Sequence, residues 1–196
     1  MNLIWYCWGG DASAKTTMAN IGSYQKAIPV SVLPQTFQDA NIVARELNCK
    51  YLQIDALCIV QDDLSDWETE AAAMSQVYAN SVLTISALQS SGSEDGFLKD
   101  REMSELEFGT YQTRDEEENR TLRVCVYLYS RGLLEQGTLS QHAWAYRERF
   151  LASANLHYTE SGMVWECQSL CVKESGQLEP SSPILKAIQT THLTEA

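Results

Sequence analysis

The residues best suited to chemistry in this chain are carboxylates set beside apolar runs. Glu70 closes the stretch Asp66-Trp67-Glu68-Thr69-Glu70, and Trp67, Ala71, Met74 and Tyr78 recur at helical spacing with Val77 on the flank. That spacing draws one apolar face on a helix. At about 100° per residue Glu70 falls inside that face, near its edge, while Glu68 points well away. A carboxylate on the inward side of a helix must be paired, hydrogen-bonded or turned to a cavity. It is therefore a candidate for a raised pKa and for acid–base chemistry. The plainer reading has Glu70 bonding a backbone amide or an arginine at the helix start, since structural ion pairs leave the same signature. Asp55 ends the apolar run Tyr51-Leu52-Gln53-Ile54, where an open α/β sheet places its ligand crevice. Gly9 and Gly10 follow the run Leu3 to Trp8, and glycine straight after a strand lets the backbone turn sharply or approach a ligand. Cys58, near Asp55, with His142 or His157 elsewhere, is the alternative of a thiol hydrolase. Its place inside an apolar run argues for an inert, buried thiol.

These groups need elements to hold them. Tyr51 to Asp55 reads as a buried strand, and Leu57-Cys58-Ile59-Val60 is a second apolar run that gives way to the polar turn Gln61-Asp62-Asp63. Ser65 or Asp66 then caps a helix with Glu68 or Glu70 in its first turn. Ser81 to Ala87 is another strand, so strand, helix and strand follow within a span that implies a right-handed parallel βαβ crossover. Upstream, Pro34 suits a first helical turn, and Phe37, Ala40, Ile42, Val43, Ala44 and Leu47 keep the helical period up to a C-capping Asn48. Residues 12 to 30 carry weak signals.

After Ala87 the character changes. Gln89 to Gly96 is a loop by composition, re-anchored at Phe97, Leu98 and Arg101, and Asp115-Glu116-Glu117-Glu118 is an acidic, solvated run. Thr121 to Leu128 alternates like a strand, Leu139 to Phe150 contains a short helix, and residues 154–158 and 163–167 form a hairpin about the turn Thr159 to Gly162. The expected class is α/β: an open sheet with parallel βαβ units on the N-terminal side, plus C-terminal strands and short helices. Residues 1–175 make a single domain, and 176–196 a short, partly disordered tail.

A net charge of −12 argues against nucleic acid or an anionic membrane as partner. No apolar stretch is long enough to span a bilayer, and no charged-then-apolar signal opens the chain, so the expectation is a soluble, cytoplasmic protein. The six cysteines read as reduced thiols. Cys167 and Cys171 lack the second pair or histidines that complete a zinc site, so no metal is expected.

Three blocks together are specific. Tyr6-Cys7-Trp8-Gly9 opens the chain. A long block carries Leu33-Pro34, Phe37, Asp39-Ala40, Tyr51 to Asp63, Asp66-Trp67, Glu70, Met74, Tyr78, Ser86-Ala87, Gly96 and Arg101. Ala143-Trp144, Glu148-Arg149, Leu151, Leu156-His157-Tyr158 and Trp165-Glu166-Cys167 close it. In this order they resemble the fungal heterokaryon-incompatibility (HET) domain family over nearly the whole chain. The departures are Gln53 where the family usually has tryptophan, Trp5 where it has serine, Arg147 where it has glutamine, and His142 near an expected arginine.

The resemblance implies non-self recognition and programmed cell death in fungi. It also implies a distant similarity to TIR domains, hence a TIR-like open sheet, and some TIR domains cleave NAD at the nicotinamide–ribose bond. Under that implication Glu70 is the catalytic carboxylate, with its spacing from Trp67 about one residue off the TIR pattern. Trp8 or Trp67 would stack on the nicotinamide, Gly9 and Gly10 would let the backbone approach, and Asp55 would hold a hydroxyl or brace the loop. NAD would be a substrate, and no cofactor is implied. Two other classes stand beside the enzyme: a non-catalytic module that self-associates or docks a signalling partner, and a family member recruited to small-molecule metabolism. In either of them the tryptophans serve first as core aromatics.

Overall fold

The computed structural model describes residues 14–100, 148–160, 162–176 and 178 in full, and residues 2–5, 105–112 and 121–127 as backbone strands. In chain order the elements are β1 (Asn2–Trp5), α1 (Ile21–Tyr24), a 3-10 turn (Val30–Val32), α2 (Gln35–Glu46), β2 (Leu52–Gln53), α3 (Asp55–Cys58), α4 (Leu64–Ala79) and β3 (Leu83–Ala87). They continue with β4 (Glu105–Gln112), β5 (Thr121–Tyr127), β6 (Ala154–Thr159), β7 (Gly162–Cys167) and β8 (Cys171–Lys173). A helical segment at 148–151 precedes β6.

The main sheet has six strands in the order β2-β1-β3-β6-β7-β8. β1 lies parallel to both β2 and β3, β3 is parallel to β6, and β6, β7 and β8 run antiparallel in turn. Parallel neighbours need long connections, which α2 supplies before β2 and α4 before β3. β4 and β5 form a separate antiparallel pair with a register shift between Glu107 and Gly109.

Register divides the sheet into two unlike faces, because residues opposite one another point the same way. Leu83, Ile85 and Ala87 of β3 share one face with Ala154, Leu156 and Tyr158 of β6. Phe37, Ala40 and Val43 of α2 pack onto that face with Ile54, Ala56 and Phe97 to form the apolar core. The other face carries Thr84 and Ser86 beside Asn155 and His157, with Glu166 next on β7. All five of those polar residues are fully buried.

α2 forms much as its spacing predicts: Phe37, Ala40, Val43 and Ala44 are buried while Ile42 and Leu47 of the same apolar set stay exposed, no glycine or proline interrupts it, and Asn48 just past its end has φ 54°. Asparagine tolerates this left-handed conformation where a helix stops. Asp39 of α2 then anchors the following loop, its Oδ2 accepting from the N–H groups of Phe97 at 2.6 Å and Leu98 at 2.9 Å. Gly96 is obligatory there. Its φ is +68°, and a Cβ would lie 2.7 Å from both Asp39 Oδ2 and Gln35 Cγ.

Some expectations change. The second apolar run is not part of a strand: the chain turns at Asp55 into α3, and only Leu52 and Gln53 pair with β1. The reason is that Gln61 Nε2, from the end of the turn, and Thr16, from far earlier in the chain, satisfy carbonyls of the α3 turn that a strand would have used in a ladder. α4 is capped not by Ser65 or Asp66 but earlier, by Asp63, whose side chain accepts from Ser65 and Asp66 N–H. The hairpin gains a third strand, β8. Trp8, Gly9, Gly10, Arg101, the run 115–118, His142 and Arg147 lie outside the described residues, as does the tail from 179 onward.

Candidate functional site

A cavity of about 330 Å³ opens between α3, α4 and the 148–151 segment. From α4 it takes Trp67, Ala71, Met74, Ser75 and Tyr78, from α3 and its turn Asp55, Ile59 and Gln61, and from the last segment Glu148 and Leu151. The apolar stripe read from the sequence is thus real, but it walls a cavity. Of all the α4 residues only Tyr78 is buried, and Trp67 remains 51% exposed.

The turn that follows Asp55 is held from several sides. Thr16 N–H donates to Ala56 O at 2.9 Å, Thr16 Oγ1 to Leu57 O at 2.6 Å, and Gln61 N–H to Thr16 O at 2.8 Å. Asp66 Oδ2 accepts from Val60 N–H at 2.8 Å, tying the start of α4 to the same turn. Burial pushes the Asp55 carboxyl up to about 6, against an opposing hydrogen bond from the Gln53 side chain. Tyr78 is pushed well above the ordinary phenol range by burial, by the negative fields of Glu148 and Asp55, and by its hydrogen bond with Glu148. It therefore stays a neutral donor facing a carboxylate.

Glu148 is positioned by its neighbour. Arg149 makes a two-pronged ion pair with Glu166 of β7, Nε to Oε2 at 2.6 Å and Nη2 to Oε1 at 2.7 Å. Asn155 Nδ2 donates to Arg149 O at 3.1 Å, and Ala152 N–H to Glu148 O at 3.1 Å. His157 Nε2 lies 3.1 Å from Glu166 Oε2. Burial lowers the His157 pKa below its ordinary value, and a ring nitrogen this close to an ionised carboxylate serves as its N–H donor. Burial alone would raise Glu166, but hydrogen bonds from His157 and Arg149 outweigh it and bring its pKa down to about 2. The segment bearing Glu148 is thereby clamped to the polar face of the sheet.

Of the residues nominated from sequence, Asp55 and Trp67 share the cavity lining. Glu70 is half-buried on α4, and its charge reaches the Cys58 thiol, but it is not on that lining. Trp8, Gly9 and Gly10 lie outside the described residues. The thiol alternative finds no support at Cys58 and His157, and its other histidine, His142, lies outside the described residues. Cys58 is exposed at the end of α3, and desolvation of its sulfur, with the fields of Asp55 and Glu70, holds the thiol above its ordinary value. His157 is engaged with Glu166 in the buried network.

Sequence reasoning missed Glu148, Tyr78 and Gln61 as site residues, while Gln53 entered only as a departure that would line a new small-molecule pocket. A signal existed for Glu148, since Glu148-Arg149 and Trp165-Glu166-Cys167 both belong to the blocks of resemblance, and an arginine and glutamate so placed invite pairing. Gln53 replaces an expected aromatic and hydrogen-bonds the cavity carboxylate Asp55. Among the described residues no three His, Cys, Asp or Glu side chains gather as metal ligands.

A mixed sheet flanked by helices, with a cavity beside it that Asp55 and Glu148 help to line, makes this an α/β domain. The model of the heterokaryon incompatibility protein (HET) family matches residues 3–154, and the chain belongs to that family. No curated protein and no solved structure matches it. Among the described residues no helix is long and apolar enough to cross a membrane.

Proposed function

We propose that this chain is a cytoplasmic effector of fungal non-self recognition and programmed cell death that cleaves the nicotinamide–ribose bond of NAD in the cavity between α3, α4 and the 148–151 segment. One observation carries the reading: two carboxylates from different elements, Asp55 and Glu148, line one cavity with the indole of Trp67 and the phenol of Tyr78. A volume of about 330 Å³ is at the small end of ligand pockets and suits one ring with its sugar, leaving the pyrophosphate outside. An acidic lining favours that arrangement as well.

The chemistry follows from the charges. As the C–N bond breaks, its electron pair leaves with nicotinamide, which departs neutral, and the ribose carbon becomes oxocarbenium-like. An ionised carboxylate against the ribose stabilises that charge. Water then adds at the same carbon and gives its proton to a carboxylate, so the products are nicotinamide, ADP-ribose and one proton. Asp55, its acidity weakened by burial, suits the proton-accepting role. Glu148, fixed through Arg149, suits the stabilising one. Glu70, on the same helix as Trp67, is the alternative carboxylate that the TIR-like reading favours.

The purified chain incubated with NAD, with nicotinamide release followed for Asp55→Asn, Glu148→Gln and Glu70→Ala proteins, tests this directly. Loss of release in the first two supports the assignment, and loss only in Glu70→Ala moves the centre to Glu70. No release by the unaltered chain rejects the enzyme. A second reading is a docking module that self-associates or binds a signalling partner. Leu64 at 71% and Trp67 at 51% exposure give α4 an apolar surface that favours it.

A further inference from the structure

The cavity has a selectivity that does not depend on whether it is catalytic. Its lining has two acidic side chains, Asp55 and Glu148, two aromatic ones, Trp67 and Tyr78, a thioether and an amide, and no basic side chain among the described residues. Tyr78 is committed to Glu148 by its hydrogen bond, which leaves the exposed Trp67 ring as the free aromatic wall. An indole face attracts a cation through its quadrupole, and carboxylates close to it add a direct charge attraction strengthened by partial exclusion of water. Phosphates and carboxylates meet only repulsion there.

We infer that this cavity is a receptor for compact planar organic cations, seated against Trp67 with their charge facing Asp55 and Glu148, and that it rejects neutral compounds of the same shape. The inference rests on the cavity described under the proposed function and not on bond cleavage. It names the part of any larger substrate that enters: the cationic heteroaromatic end.

A pH dependence follows. The groups facing Asp55 are Gln53 from β2, Cys58 on its own turn, Tyr78 from α4 and Glu148 from the 148–151 segment, with Glu70 acting on the same side through Cys58. Tyr78 and Cys58 are both held protonated and contribute no charge near neutrality. Asp55 is ionised above about 6 and neutral below it. Cation affinity therefore falls as pH drops through that value.

The test uses two ligands of one shape, the 1-methylnicotinamide cation and neutral nicotinamide, titrated into the intact chain by calorimetry at pH 8 and pH 5. The expected result is at least tenfold tighter binding of the cation at pH 8, a preference that shrinks severalfold at pH 5. Asp55→Asn should lower the preference at pH 8 and remove its pH dependence, and Glu148→Gln should lower it at both pH values. Equal binding of the two ligands, tighter binding of the neutral one, or no binding of either at millimolar concentration overturns the inference, and these outcomes need no variant to fold. Nicotinamide release from NAD, measured on the same protein, separates the claims. Cation preference without release leaves this inference standing and removes the enzyme, and release without cation preference does the reverse.

Discussion

The two faces of the central sheet are equally buried and solve opposite problems. On the face under α2, Ile85, Ala87, Ala154 and Phe37 exclude water by packing, which needs only apolar volume in the right place. On the other, Thr84, Ser86, Asn155, His157 and Glu166 are just as inaccessible. That face holds a bonded network of Arg149, Glu166 and His157, while Ser86 Oγ and Asn155 Oδ1 meet no hydrogen-bond partner among the described residues. The lesson lies in what each face can support: the packed face holds the fold together, while the polar face can orient a segment one residue away. Arg149 is that segment's anchor and Glu148 its working end.

Breaking the anchor should produce the largest effect. Arg149→Met leaves the buried Glu166 carboxylate without the Arg149 guanidinium, with His157 still bonded to it, and should cost about 3–5 kcal/mol in urea unfolding, with part recovered when Glu166→Leu is added. The polar face should also be the acid-sensitive one. Glu166 has a folded pKa near 2, below its unfolded value, so its contribution is complete above about pH 4.5 and is lost as pH falls toward 2. His157, depressed from 6.5, adds a loss that starts below that value because the unfolded state takes up the proton first. The matching truncation on the packed face, Ile85→Ala, should cost about 2–4 kcal/mol, with no pH dependence of its own. Similar pH profiles for the Arg149→Met and Ile85→Ala proteins would contradict the division.

Smaller effects sharpen it. Gly96→Ala forces a Cβ onto Asp39 and Gln35 at positive φ, and should cost about 1–3 kcal/mol in thermal unfolding. Asp55→Asn should instead stabilise the fold by about 1–2 kcal/mol above pH 6. The Asp55 carboxyl is raised in the fold, so ionising it costs stability as pH rises from its unfolded value through about 6, and below pH 4 the gain should vanish. A site residue whose removal stabilises is the mark of strain kept for function.

The packed face was legible in the sequence because its cause is periodic. Phe37, Ala40, Val43 and Ala44 repeat at three- and four-residue steps, and Leu83, Ile85 and Ala87 every two. The cavity was half legible: Trp67, Ala71, Met74 and Tyr78 announced a stripe, and Asp55 a strand end. Nothing in the spacing said whether the stripe met a core or an opening, since that depends on where residues 148–151 come to rest. The turn at Asp55 was lost for a similar reason. Leu57 to Val60 is apolar enough for a strand, and bonds from Gln61 and from Thr16, 41 residues before Leu57, accompany a helical turn over Asp55–Cys58 instead. Arg149 and Glu166, seventeen apart in sequence, have no period to betray them.

The central claim is that Asp55 and Glu148 make one working site. The most direct measurement is nicotinamide release from NAD by the unaltered chain and by Asp55→Asn, Glu148→Gln and Glu70→Ala proteins, each first shown folded by circular dichroism. The account predicts release that falls at least about a hundredfold in Asp55→Asn and in Glu148→Gln, a loss of the size expected when a positioned charge or proton acceptor is removed. Release that survives in both and disappears in Glu70→Ala, or no release from the unaltered chain at any concentration, would contradict it.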